Sequence, residues 1–161
     1  MIKETARTKM YEAMKEKDAK KKGFYAFLLD QLMKAEKNKQ SASNPNPTLS
    51  DAEEIDVVQA LVKQTRDAIR TMQSKKLTQE KEIQMAKEFV AEREYELALY
   101  AEFLPKELTS DEINMIIAET VSELPAPINK GILMKNLMPK VKGKADGKLV
   151  AELADKYLAN L

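Results

Sequence analysis

Apolar side chains recur every three or four residues through most of this 161-residue chain, and this spacing constrains its fold more than any other feature. Residues three or four apart share one face of an α-helix, whereas a half-buried strand needs strict alternation. Glycine, which weakens helices, occurs only four times, while Ala, Leu, Met, Glu and Lys are common. The sequence therefore predicts an all-α fold.

The first part of the chain, residues 1–104, contains four stretches with helical spacing. The first two are predicted at about residues 1–17 and 18–39, with Asp18 as the N-cap of the second helix. Two Asn-Pro pairs within residues 40–48 predict an exposed loop after them. Helices one and two are therefore expected to form a hairpin.

Helix three begins where Ser50 and Glu53 form a capping box, and Thr78 is the predicted N-cap of helix four. Four amphipathic helices predict a four-helix bundle, with a longer and more open helical arm as the alternative. The predicted buried faces are Phe24, Phe27, Leu28, Leu32 and Ala35 in helix two, and Ile83, Ala86, Phe89, Val90, Leu97, Tyr100 and Leu104 in helix four.

A second domain is predicted to begin at Pro105, because proline stops helix four and a second capping box follows at Thr109 and Glu112. Helix five should end before the two prolines of residues 125–127. Shorter helices are predicted at about 129–137 and 147–160. We therefore expect domains at 1–104 and 105–161, the second a small three-helix module.

The absence of two residue types removes most catalytic templates. The chain has no cysteine and no histidine, so it lacks thiolate nucleophiles, the usual zinc ligands and the commonest general base near neutral pH. We predict no catalytic residue, metal site or cofactor, and we expect the stripe Glu88, Glu92 and Glu96 to be solvated. No apolar run approaches membrane-spanning length, so the expectation is a soluble, cytoplasmic protein without a membrane partner.

Charge is unevenly distributed, although the net charge is only +1. Residues 1–40 hold eleven basic and six acidic side chains, and residues 106–124 hold one lysine and five acids. Residues 125–150 hold six lysines, and Asp146 is their only acid. Such a positive region favours nucleic acid or an acidic partner, because its field attracts negative charge.

The segment 138–148 places two glycines and four lysines immediately before helix seven. Unpaired N–H groups in a first helical turn attract anions, glycine allows close approach and lysine adds charge. The alternative is structural: Asp146 caps the helix, the glycines shape a turn and the lysines are solvated. The candidate nucleic-acid contacts are Lys140, Lys142, Gly143, Lys144, Gly147 and Lys148, joined by Lys130 and Lys135, with Asp146 as the helix cap.

Two phrases of the sequence, 103–112 and 137–147, carry a family resemblance. Phe103-Leu104-Pro105 with Leu108, Thr109 and Glu112, and then Leu137-Met138-Pro139-Lys140-Val141-Lys142-Gly143-Lys144-Ala145-Asp146-Gly147, resemble the YqeY family. The resemblance implies a helical N-terminal domain and a tail module like that of the B subunit of tRNA-dependent amidotransferases, which contacts tRNA. A related module is appended to some glutaminyl-tRNA synthetases.

Only positions 142–147 match the functional core of the family motif, and no catalytic residue is implied. Glutamine-dependent carbon–nitrogen ligase activity belongs to other domains of the related complex. The function expected from the resemblance is a tRNA-binding accessory module with no stand-alone activity, with tRNA and an aminoacyl-tRNA synthetase or amidotransferase complex as candidate partners. The alternatives are a protein-interaction adaptor that docks on such a complex and, with least support, a stand-alone enzyme.

Overall fold

A computed structural model describes residues 1–161, and all its regular elements are α-helices, which confirms the predicted fold class. No helix is both long enough and apolar enough to cross a bilayer. The helices are α1 Ile2–Lys15, α2 Ala19–Asn38, α3 Asp51–Gln73, α4 Glu80–Ala101, α5 Ser110–Glu123, α6 Lys130–Val141 and α7 Gly147–Ala159.

The helices group into two compact units, Met1–Phe103 with α1 to α4 and Leu104–Leu161 with α5 to α7. We call them the first unit and the second unit. Within the first unit, α1 pairs with α2 and α3 pairs with α4, while α1 and α2 both contact α3. That each unit folds as an independent domain stays a prediction.

Two of the helix starts predicted for the first unit are confirmed. The Asp18 carboxylate accepts a hydrogen bond from the Lys21 N–H at 3.0 Å, which caps α2. At α3, the Ser50 N–H donates to Glu53 at 2.7 Å and the Glu53 N–H donates to the Ser50 hydroxyl at 3.3 Å. The capping box is therefore complete, because each residue satisfies a backbone donor of the other.

Helix α4 differs from its prediction at its start and along its buried face. Thr78 is not its cap: the N-cap is Gln79, which makes no side-chain hydrogen bond. Only Leu99 and Tyr100 of this helix are buried, and Ile83 is 37% exposed. Five of the seven residues of the predicted apolar face are partly buried and Tyr100 is fully buried, so α3, the main neighbour of α4, covers this face incompletely.

The burial of α2 also departs from the prediction at one aromatic residue. Phe27, expected inside, is 48% exposed, whereas Tyr25 and Leu29 are buried together with the predicted Phe24. The rings of Phe24 and Tyr100 meet edge to face with their centroids 4.7 Å apart, so the C-terminal end of α4 lies against α2. This contact helps to bury Tyr100, which is 2% exposed.

A buried carboxylate of α3 forms hydrogen bonds with the N-terminus of α1. Glu54, 4% exposed, accepts hydrogen bonds from the N–H of Ile2 at 2.5 Å, the N–H of Lys3 at 3.4 Å and the Met1 ammonium at 2.8 Å. The first N–H groups of a helix lack partners within the helix, and a negative charge beside them is favourable. Glu54 therefore acts as an N-terminal cap supplied by another helix.

The second unit encloses a small core. Each of its three helices contacts the other two. The capping box predicted at the start of α5 is confirmed: the Thr109 N–H donates to the Glu112 carboxylate at 2.8 Å, and the Glu112 N–H donates to the Thr109 hydroxyl at 3.2 Å. Seven core residues have no exposed surface: Ile113, Ile117, Leu133, Leu137, Val141, Val150 and Ala154.

Helix α6 runs four residues beyond its predicted end. It includes Pro139 and ends at Val141, although proline cannot donate a helical hydrogen bond. Leu137 and Val141 lie four residues apart on one face, and both are fully buried. We infer that burial of this face outweighs the lost hydrogen bond and carries the helix through the proline.

Candidate nucleic-acid-binding site

The lysine- and glycine-rich segment is divided between two helices and the turn that joins them. Lys140 belongs to the last turn of α6, and Gly147 and Lys148 belong to the first turn of α7. The connecting turn, residues 142–146, contains Gly143 with a φ of 83°. Glycine suits this left-handed position because it has no Cβ to clash, so Gly143 shapes the end of α6.

Backbone hydrogen bonds hold this turn in place. The Lys144 N–H donates to the Val141 carbonyl at 2.9 Å, and the Leu108 N–H donates to the Lys144 carbonyl at 2.7 Å. The second bond joins the turn to the segment that precedes α5. Because both ends of the turn are also helical, its lysines are attached to a fixed backbone.

Three of the candidate lysines lie at this turn with exposed side chains. Lys142 and Lys144 are within it, and Lys148 follows in the first turn of α7. The Asp146 carboxylate accepts a hydrogen bond from the Lys148 N–H at 3.3 Å, so Asp146 is the N-cap of α7. We call these three residues the turn lysines: Lys142, Lys144 and Lys148.

Two other candidate lysines are held in ion pairs between helices. Lys130 Nζ lies 2.6 Å from Asp155 Oδ2 on α7, and Lys140 Nζ lies 2.7 Å from Glu123 Oε2 on α5. Each pair partly offsets the lysine charge and connects α6 to a neighbouring helix. Because the pairs are exposed, each stabilises the unit by only about 0–1 kcal/mol.

The α6 lysines do not form a single stripe. Lys130, Lys135 and Lys140 are five residues apart, so successive side chains are rotated by about 140° around the helix axis. Lys135 is exposed and has no ion pair, but it points away from the buried positions of α6. The turn lysines therefore lie within one short stretch, residues 142–148, whereas the α6 lysines face three directions.

The N-terminus of α7 is already occupied by a carboxylate. Asp146 lies at the positive end of the helix dipole and accepts one of its first N–H groups. A phosphate placed at the same point would meet a like charge. Positive charge for an anion at this turn therefore has to come from lysine side chains and not from the helix end.

The sequence did not predict the two ion pairs between helices. Glu123 and Asp155 lie 17 and 25 residues from their lysine partners, and no local spacing signals such a pair. The expectation that the α4 acidic stripe is solvated is wrong for Glu96, which is partly buried and lies 3.0 Å from Arg93. Burial raises the pKa of the Glu96 carboxyl.

The fold and the turn lysines define the class: a small all-α protein that presents positive charge on a short turn between two helices. The sequence matches the family described as Yqey-like protein over residues 3–158. Because this match covers nearly the whole chain, the protein belongs to the YqeY family. No curated protein matches the chain.

Proposed function

We propose that this chain is a tRNA-binding accessory module with no catalysis of its own, and that the turn lysines contact phosphates. One observation carries the proposal: three exposed lysines lie on, or directly after, a turn whose backbone is fixed by Gly143 and by the Leu108 hydrogen bond. Lysine side chains that neutralise phosphates release counterions, and this release favours binding. A fixed backbone lowers the entropy lost when the contact forms.

The ion pairs limit how strongly the proposed site binds. Lys130 and Lys140 must give up carboxylate partners before they contact phosphate, so they add little. Three turn lysines correspond to a salt-dependence slope of about −2 to −3 in log K against log salt concentration. The proposed binding is therefore weak at physiological salt and strengthens at low salt.

The lack of a stacking surface favours recognition of folded RNA through its backbone. The only aromatic side chain in the second unit is Tyr157, and it packs against the core of that unit. Single-strand binders stack bases on aromatic side chains, whereas proteins that bind RNA helices contact phosphates and ribose. The resemblance of the family to the tail of tRNA-dependent amidotransferases supports tRNA as this RNA.

A filter-binding titration against bulk tRNA at two salt concentrations tests the proposal. The variant Lys142→Glu/Lys144→Glu should lose most of its binding, because it places two negative charges where phosphates are proposed to lie. The matched control is Lys75→Glu/Lys76→Glu, which makes the same charge change at two exposed lysines of the α3–α4 connection. Equal binding by the two variants would contradict the proposal.

A second candidate function is a protein-binding adaptor for an aminoacylation or amidation complex. It is favoured by an open groove of about 390 Å³ between α3 and α4, lined by apolar side chains that include Met72, Leu77, Ile83 and Val90. Affinity capture of a synthetase or amidotransferase by the intact chain, lost in Ile83→Glu, would support the adaptor. Robust tRNA binding without such capture would reject it.

A further inference from the structure

Tyr11, on the outer face of α1, is the most exposed aromatic side chain of the chain, at 54%. Helix α1 buries its opposite side through Ile2, Ala6 and Ala13. A tyrosine that is half exposed adds little to packing, and exposed tyrosine rings are enriched at binding surfaces. The ring of Tyr11 is therefore accessible to a partner.

Two cations flank Tyr11 on the same face of α1. Arg7 and Lys15 each lie four residues from Tyr11, so neighbouring Cβ atoms along this face are about 5–6 Å apart. Both cations are exposed and neither forms an ion pair, whereas Lys9 of the same helix pairs with Glu102. An exposed aromatic ring thus lies between two cations whose charge no carboxylate offsets.

A third cation, Lys17, follows α1 in a left-handed backbone conformation with a φ of 58°. The Lys17 N–H donates to the Met14 carbonyl at 3.2 Å, and the Asp18 N–H donates to the Ala13 carbonyl at 2.9 Å, which is the Schellman pattern of a helix C-terminus. Glycine is the usual residue at this position, because a Cβ is disfavoured there. A lysine here costs stability, which points to a use for its exposed side chain outside the fold.

An open cavity of about 240 Å³ lies at this end of α1, and Lys17 and Lys22 are among its lining residues. Met14, which is 46% exposed, supplies apolar surface to the same lining. The one carboxylate of the lining, Asp18, already accepts a hydrogen bond from the Lys21 N–H at 3.0 Å. The cavity therefore extends the positive face of α1 beyond the end of the helix.

The charge around this face favours an anionic partner. Residues 7–22 hold seven basic and three acidic side chains. Glu4 and Glu12 each lie three residues from a cation of the face, but neither forms an ion pair with Arg7 or Lys15. A local surplus of positive charge attracts phosphates and carboxylates alike, so the aromatic ring has to decide between them.

A ring between cations fits a single strand of nucleic acid better than it fits other anions. Bases of a single strand stack on exposed aromatic rings while cations contact the backbone phosphates. A bilayer needs a wide apolar face, and the large apolar side chains on this side of α1 are only Tyr11 and Met14. A peptide anchors its side chains in well-packed pockets, and Tyr11 is too exposed to form one.

We propose that the α1 face, which we define as Arg7, Tyr11, Lys15 and Lys17, binds a short single-stranded segment of nucleic acid. Tyr11 stacks on one unpaired base, and the three cations contact phosphates on either side of that base. Recognition is independent of base identity, since every base has a flat face. The α1 face belongs to the first unit, and this proposal does not rest on the proposed role of the turn lysines.

Fluorescence anisotropy of a short labelled oligouridylate, titrated with the full chain at low salt, tests the stacking contact. The unaltered chain should bind saturably. Tyr11→Leu should weaken binding about fivefold or more, the effect of one lost base stack, whereas Tyr11→Phe keeps the ring and should bind nearly as the unaltered chain does. No saturable binding, or equal binding by Tyr11→Leu and the unaltered chain, would overturn the proposal.

The salt dependence of the same titration tests the cations. Arg7→Gln/Lys15→Gln should reduce the slope of log K against log salt concentration by about 1.4, because two phosphate contacts to a single strand are lost. Lys75→Gln/Lys76→Gln, which neutralises two exposed lysines elsewhere in the first unit, should leave the slope unchanged. Equal slopes in the two double variants would contradict the proposal.

Lys17→Gly should change stability and binding in opposite directions. Glycine relieves the left-handed backbone, so the midpoint of thermal unfolding should rise. Binding of oligouridylate should weaken, because one phosphate contact is lost. A higher midpoint with unchanged affinity would exclude Lys17 from the site.

Two comparisons separate this proposal from other partners and from the tRNA proposal. Polyglutamate should bind more weakly than oligouridylate, and polyglutamate binding as tight as that of the oligonucleotide would overturn the proposal in favour of an acidic protein segment. Lys142→Glu/Lys144→Glu should leave oligouridylate binding unchanged. Loss of that binding would place the strand on the turn lysines and overturn the assignment to α1.

A parallel titration with oligodeoxythymidylate separates RNA from DNA as the source of the strand. Comparable binding assigns the α1 face to either kind of strand, because base stacking and phosphate contacts need no ribose hydroxyl. Tighter binding of oligouridylate assigns the face to RNA, since the 2′-hydroxyl is the group that distinguishes the two.

Discussion

The two units differ in the polar groups that they bury. The second unit has seven core residues with no exposed surface, and its buried polar side chain, Thr120, donates to the Ile116 carbonyl at 2.7 Å. The first unit buries Glu54 and leaves the buried Arg93 Nε without a partner. A closed apolar core suits a rigid support for surface charge, whereas in the first unit a buried carboxylate holds the N-terminus of α1.

The largest expected effect comes from opening the closed core. Leu137→Ala should destabilise the second unit by about 3 kcal/mol, because it removes a fully buried side chain and leaves a cavity. In so small a unit that loss is close to the whole stability. Hydrogen exchange measured residue by residue should show lost protection in Leu104–Leu161.

The matched variant in the other unit is Leu32→Ala, at an equally buried leucine of α2. It should lower protection in Met1–Phe103 and leave the second unit unchanged. This pair of variants also tests the predicted domains 1–104 and 105–161. Equal loss of protection in both units from either variant would show that they unfold as one.

A smaller effect is expected at the helix caps, where the two units are alike. Ser50→Ala and Thr109→Ala should each cost about 1 kcal/mol, because each removes the side chain that accepts a first-turn N–H. Gln79→Ala is the control, since Gln79 makes no side-chain hydrogen bond at the start of α4. Urea unfolding measures the free energy of unfolding of all three variants. A loss of stability in Gln79→Ala equal to that in the other two would refute the assignment of Ser50 and Thr109 as stabilising N-caps.

The smallest expected effect concerns acid stability. Hydrogen bonds from Ser50 N–H and then Lys39 lower the pKa of the Glu53 carboxyl from 4.5 to about 2, and the Thr109 N–H lowers that of Glu112. A carboxyl whose pKa is lowered by folding stabilises the fold above its unfolded pKa. For Glu53 that contribution is complete above about pH 4.5 and is lost as the pH falls towards 2.

Unfolding of Glu53→Gln and Glu112→Gln between pH 4.5 and 2 measures this contribution. Each variant should lose less stability over that range than the unaltered chain, since it has one titrating carboxyl fewer. The first should flatten the pH dependence of the first unit and the second that of the second unit. Identical pH profiles for variants and unaltered chain would exclude a role for these carboxyls.

Local sequence signals predicted the helices and the capping boxes, because the hydrogen bonds at Ser50 and Thr109 join residues three positions apart. The end of α6 was not predicted, because burial of Val141 by other helices outweighs the local effect of Pro139. The exposure of Phe27 depends likewise on what packs against α2. Helical periodicity shows which face of a helix is apolar, but it does not show which other helix covers that face.

Some features of the candidate site could likewise be predicted from local sequence, and others could not. The turn at Gly143 and the N-cap at Asp146 involve neighbouring residues, so local sequence contains the information for both. The ion pairs of Lys130 and Lys140 form across helices, and sequence spacing does not indicate them.

The central claim is that the turn lysines of the second unit bind tRNA phosphates, and the salt dependence of tRNA binding tests it most directly. Lys142→Gln/Lys144→Gln should reduce the magnitude of the slope of log K against log salt concentration by about 2. Lys75→Gln/Lys76→Gln, the same neutralisation in the first unit, should leave the slope unchanged. Equal slopes for the unaltered chain and Lys142→Gln/Lys144→Gln would contradict the claim.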